Sequence, residues 1–67
     1  MVFKFKGSKN LSFYNLTENY NYQILQFQKT NKYLVVYVID NENQLICLPY
    51  ISVDKFNYEW EYIGNDD

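Results

Sequence analysis

The sequence predicts a small all-β domain of five short strands, and three observations carry that prediction. Ala, the best helix former, is absent from all 67 residues, while Tyr, Phe, Val and Ile, which suit a pleated half-buried surface, are plentiful. Apolar side chains alternate at period two through most segments. Polar turn clusters interrupt them at strand-length intervals.

Residues 2–6 alternate, with Phe3 and Phe5 on one face and Lys4 and Lys6 on the other, a half-buried strand. Residues 7–19 are polar and read as a long first loop, with Leu11, Phe13 and Leu16 tucked onto the core. Residues 20–28 form the second strand. Tyr20, Tyr22 and Ile24 share one face before Leu25 and Phe27 take the opposite parity, which predicts a bulge or bend. Residues 29–32 make a turn. The β-branched run in 33–39 predicts a central strand buried on much of both faces.

Asp40-Asn41-Glu42-Asn43 is the next turn, because such side chains bond their own backbone. Residues 44–48 pair back as a hairpin, and Pro49, which lacks a ladder donor, is expected to end that strand. Residues 52–56 predict one helical turn capped by Ser52. Residues 58–63 predict a fifth strand, with Tyr58, Trp60 and Tyr62 alternating against Glu59 and Glu61. The expected single domain spans 1–67, with an ordered core over about 2–63 and an acidic tail at 64–67. Five strands, a long first loop and a helical turn before the last strand predict a small, partly open barrel.

A domain of this length buries only about 60% of its unfolded surface, so large side chains must make the core. Eight Tyr, five Phe and one Trp provide them. Cys47 is the only cysteine and His is absent, which excludes an intramolecular disulfide and the usual structural zinc sites. The absence of His and Arg also excludes Ser-His and Cys-His dyads and a bidentate phosphate clamp. Gly7 and Gly64 are too few for a phosphate-cradling loop. Asp40 and Glu42 fit a polar turn better than a calcium loop, which needs more oxygen ligands and a glycine at its bend. Cys47, among Leu45, Ile46 and Leu48, is expected to be a buried, inert thiol. The expectation is therefore no catalytic residue, metal or cofactor.

Asn15-Leu16-Thr17-Glu18-Asn19-Tyr20-Asn21-Tyr22-Gln23-Ile24-Leu25 resembles the Leu-Thr, polar spacer, Tyr-x-Val/Ile-Leu signature of small SH3-like barrel proteins of Firmicutes and their bacteriophages. Tyr33-Leu34-Val35-Val36-Tyr37, the Ile39-Asp40-Asn41 turn into Gln44-Leu45-Ile46, Leu48-Pro49 and Phe56 follow in the same order. Asn19 replaces the glycine usual in the first turn, and Asn also tolerates a left-handed backbone. The hairpin turn likewise lacks its common glycine. The resemblance implies an SH3-like barrel of phage or mobile-element origin, and no reaction.

Net charge is −2, with five lysines against Glu18 up to Tyr33 and seven acids against Lys55 thereafter. Residues 1–4 lack the apolar core of a signal peptide and no run spans a membrane, so a cytoplasmic protein of a bacterial host is expected. The function expected is a non-catalytic protein-binding module, a phage or prophage inhibitor or modulator of a host protein, with an anti-CRISPR or other anti-defence protein as one form. Its candidate contacts are Tyr14, Tyr20, Tyr50, Glu59, Glu61, Asp66 and Asp67. The alternative is a weak single-stranded nucleic-acid binder using Lys4, Lys6, Lys9 and a base-stacking Trp60. Against that, the Tyr58, Trp60 and Tyr62 row also reads as a core face. A monomer or weak homodimer is expected, since edge strands can pair between chains.

Overall fold

The computed structural model describes residues 1–8 and 14–65. It is mostly β, with one short helix: β1 (Val2–Phe5), β2 (Asn21–Lys29), β3 (Leu34–Ile39), β4 (Leu45–Tyr50), α1 (Val53–Glu59) and β5 (Trp60–Gly64). All strand pairs are antiparallel, and one sheet runs in the order β4-β3-β2-β1-β5. β4 and β5 are its two edges and do not pair, so the sheet is not closed into a barrel.

The parity change in β2 is a true irregularity. The β2–β3 register shifts between Ile24 and Gln26, leaving Leu25 as the extra, exposed residue. Ile24 then faces Val38 on the core side, and Phe27 faces Val36. In β3, Leu34, Val36 and Val38 are buried, and Val35, Tyr37 and Ile39 are half-buried. Asn19 and Asn43 both take the left-handed backbone, at φ 71° and 61°, so asparagine serves where glycine is usual.

Most strand boundaries shift by one or two residues from the sequence reading, and three of the differences bear on the fold. Pro49 does not end β4; it lies within the strand opposite Val35. An edge strand tolerates this because a residue whose N–H would point outward loses no ladder bond. The helical turn extends to Glu59, absorbing Tyr58 and Glu59 from the expected fifth strand. Ser52 caps it as expected, its Oγ accepting from the Lys55 N–H at 3.2 Å. The Trp60 N–H donates to the Phe56 carbonyl as β5 begins, and Gly64 belongs to β5 rather than to the tail. Tyr20 precedes β2 and is exposed, so it does not share the buried face of Tyr22 and Ile24. The expected packing of Leu11 and Phe13 falls outside the described residues; Leu16 does pack against the core.

Aromatic rings fill the buried side of the sheet. Phe56 on α1 meets Phe3, Phe27 and Tyr50 edge-on at 5.3, 5.2 and 5.5 Å, and stacks on Trp60 at 6.1 Å and 11°. Phe5 and Tyr22 complete the contacts around Trp60. Such pairs add about 0.5–1.5 kcal/mol each beyond the area they bury. A helix of seven residues cannot stand alone in water; α1 persists because Phe56 anchors it in this cluster.

Candidate binding surface

Tyr50 and Trp60 belong to the core, not to an exposed face. Tyr50 is 8% exposed and Trp60 1%. The Trp60 Nε1–H donates to Tyr50 Oη at 2.8 Å, and Tyr50 Oη–H donates to Glu59 Oε1 at 2.9 Å. This chain joins the end of β4 to the start of β5, the two edges that no backbone pairing connects. Burial pushes the Tyr50 phenol well above the ordinary tyrosine range; the Trp60 N–H opposes the shift and the Glu59 carboxylate adds to it. Glu59 is thereby half-buried and occupied. Of the aromatic row, only Trp60 points inward. Tyr58 is 81% exposed on α1, and Tyr62 is exposed at the edge of Phe3.

Of the other expected contacts, Tyr14 lies near enough to Tyr50 to add a small upward push on its phenol. Tyr14 packs partly against the core, whereas Tyr20 is exposed beside the turn that leads into β2. Glu61 is exposed on β5, opposite Lys4 on β1. Asp66, Asp67 and Lys9 lie outside the described residues. Lys6 donates through Nζ to the Asn57 carbonyl at 2.9 Å, near the end of α1. Thus Lys4 stands across from an acid, Lys6 is bonded to α1, and Trp60 offers no face to a base. β1, from the basic half of the chain, also lies beside β5 from the acidic half, so at that edge the two halves interleave.

The 40–43 turn is built as its sequence requires. Asp40 is buried, and its Oδ1 accepts from the Glu42 and Gln44 N–H groups at 2.9 Å each. Tyr22 Oη accepts from the Thr17 N–H at 2.6 Å and donates to Asn41 Oδ1 at 2.7 Å, holding this turn to the first loop. Cys47 is exposed rather than buried, because odd-numbered residues of β4 face outward.

A cleft opens between the β2–β3 turn and the β4–α1 junction. Lys29 and Lys32 flank one side, and Tyr33, Ile51 and Val53 supply apolar surface. All three apolar side chains are exposed, Ile51 most of all at 69%. Sequence reading missed these residues, and the local pattern gives Ile51 a different role. Ile51 directly precedes the N-cap Ser52, where an apolar side chain commonly packs against the fourth helical residue, here Phe56. Phe56 is buried among other rings and Ile51 stays in water, so Ile51 is not used to fasten the helix. The 29–34 side is held by Thr30, whose Oγ1 accepts from the Tyr33 N–H at 2.9 Å and whose N–H donates to the Tyr33 carbonyl at 2.8 Å. The cleft therefore has a fixed wall, two cations and an unused apolar surface. Comparison of the chain with protein-family models, curated proteins and solved structures finds no match.

Proposed function

We propose that this protein is a non-catalytic protein-binding module and that the cleft between the β2–β3 turn and the β4–α1 junction holds its ligand. The observation that carries the reading is the exposed trio Tyr33, Ile51 and Val53 beside Lys29 and Lys32. Exposed apolar side chains grouped in a cleft, rather than scattered singly, mark interaction sites. The complementary ligand is a protein segment with an apolar side chain next to a carboxylate. The lysines supply steering and register, and burial of the apolar side chains supplies most of the affinity. Inhibition of a host protein by occupying such a segment needs no chemistry from the module, which suits a chain lacking His and Arg. A partly open SH3-like barrel is the finer form of the fold in this proposal. The β2 bulge and the Tyr50–Trp60–Glu59 bridge between opposite sheet edges support it.

Selection of a displayed random-peptide library on the immobilised protein tests the reading. Enriched peptides should pair acids with apolar residues and lose binding to Ile51→Asp, whose side chain is exposed enough to leave the fold intact. Peptides that bind Ile51→Asp as well as the parent would remove the cleft from consideration.

A further inference from the structure

The outer edge of β4 has backbone groups with no partner among the described residues, and its sequence limits how they can be paired. Asp40 N–H donates to the Gln44 carbonyl at 2.9 Å, closing the β3–β4 turn. Bonded and non-bonded pairs alternate along an antiparallel ladder. Val38–Ile46, Val36–Leu48 and Leu34–Tyr50 are therefore the bonded pairs, and Leu45, Cys47 and Pro49 turn their backbone groups away from β3. Pro49 fits this parity because it has no N–H to offer. The side chains of Leu45, Cys47 and Pro49 are exposed, and β3 and β4 contain no charged residue. Uncharged edges are templates for another strand, and proteins normally blunt them with Lys or Pro. Here the only such device is Pro49, and it guards one end.

We propose that the Leu45–Cys47 edge of β4 pairs antiparallel with the same edge of a second copy, joining two sheets about a two-fold axis at Ile46. Proline selects that register. With Leu45 opposite Cys47 of the second copy, each of these two residues donates one N–H and accepts at one carbonyl on both chains, so no edge group of either is left over. Sliding to Cys47 opposite Cys47 places Leu45 across from Pro49, where the Leu45 carbonyl finds no donor. Sliding the other way runs the ladder into Asn43, whose left-handed backbone and N–H bond to the Asp40 carbonyl end the strand. An isologous contact also sets Leu45 against Cys47 on the outer face without like-charge repulsion. A second copy fits better than an unrelated strand because the same proline that limits one chain limits its mate at the matching place. This contact lies on β4 away from the cleft and does not depend on it.

Sedimentation equilibrium of the full chain from about 10 μM to about 1 mM tests the pairing. The expected result is a concentration-dependent rise above the 8.2 kDa monomer toward twice that mass. Cys47→Pro removes one edge donor while sparing the β3 ladder, and should remain monomeric throughout. Leu45→Lys, at a side chain already 55% exposed, should do the same by like-charge repulsion and decides the matter if Cys47→Pro does not fold. In the proposed register the two Cys47 residues lie diagonally, about 7–8 Å apart, so a short bismaleimide should link parent chains but not Leu45→Lys chains. A parent that stays monomeric to about 1 mM, or a folded Leu45→Lys that self-associates as the parent does, would overturn the proposal.

Discussion

Tyr50→Phe isolates the hydrogen-bonded bridge between the two sheet edges, because it deletes one oxygen and leaves the ring contact with Phe56 in place. The Trp60 Nε1–H loses its acceptor at a residue only 1% exposed, so water cannot easily replace it. An orphaned buried donor costs about 1–3 kcal/mol. Glu59 also loses a donor, but it is half-buried and can rehydrate, which adds little. The expected loss is about 2 kcal/mol, against a total stability of roughly 3–10 kcal/mol for a domain of this length. That corresponds to a melting temperature lower by about 8–16 °C.

Urea unfolding of Tyr50→Phe, Trp60→Phe and the double variant supplies the assay. Trp60→Phe removes the donor itself, so adding Tyr50→Phe to it should cost less than Tyr50→Phe alone, by about 1 kcal/mol or more. A pH series adds a second readout. The folded Tyr50 phenol is held above its ordinary value, first by burial and then by Glu59, while the unfolded one ionises near pH 10. Its contribution is present in full below that pH. Above pH 10 the unfolded state loses its proton and the folded state keeps it, so this stability declines as pH rises. Tyr50→Phe should flatten that decline. A variant within about 0.5 kcal/mol of the parent, with additive double-mutant behaviour and an unchanged alkaline slope, would refute the bridge.

Phe56→Ala empties the centre of the ring cluster and should cost about 3–5 kcal/mol, enough to leave much of the population unfolded by circular dichroism at 37 °C. Asp40→Ala removes both acceptor contacts in the 40–43 turn and should lower stability by about 1–3 kcal/mol in urea titration, with faster amide exchange at Glu42 and Gln44. Gly7 sits at φ 107°, and a Cβ there would meet the Glu18 carboxylate. Gly7→Ala should therefore cost about 1–2 kcal/mol, and adding Glu18→Ala should recover little, because the backbone conformation and not the flexible carboxylate sets most of the penalty.

Much of the strand order was legible because period-two alternation and turn chemistry are local properties. The β2 bulge showed as a parity switch at Leu25, and the Ser52 cap and Asp40 turn followed from side chains that bond nearby backbone. The errors have tertiary causes. Pro49 reads as a strand end only if β4 is assumed to be flanked on both sides; the sheet order makes it an edge. Tyr58 and Glu59 alternate with Trp60 as a strand would, but the helix that Phe56 anchors continues to Glu59, where the Trp60 N–H bond to the Phe56 carbonyl closes it, and so takes both into α1. Tyr50 and Cys47 exchanged expectations for one reason: even-numbered residues of β4 face the core and odd-numbered ones face water. That parity is fixed by pairing with β3, which no local pattern in Leu45-Ile46-Cys47-Leu48-Pro49-Tyr50 reveals. The cleft was invisible for the same reason, since it joins residues 29–34 to 51–53.

The division of the aromatics then limits where binding can occur. In a domain this small, rings that close the core are unavailable to a ligand, and Phe3, Phe5, Tyr22, Tyr50, Phe56 and Trp60 are all buried. The buried face is filled, and the β1–β5 side of the sheet places Lys4 against Glu61. Apolar surface that neither fastens a helix nor packs on the core remains at the Ile51–Val53 junction, while unpaired backbone remains along Leu45 and Cys47. These are different resources. The first suits a side chain entering a cleft, and the second suits an added strand. A substitution at Ile51 should therefore change ligand binding without changing self-association, and Leu45→Lys should do the reverse. If both functions moved together under either substitution, β4 and the junction would be one surface, and the proposed separation would be wrong.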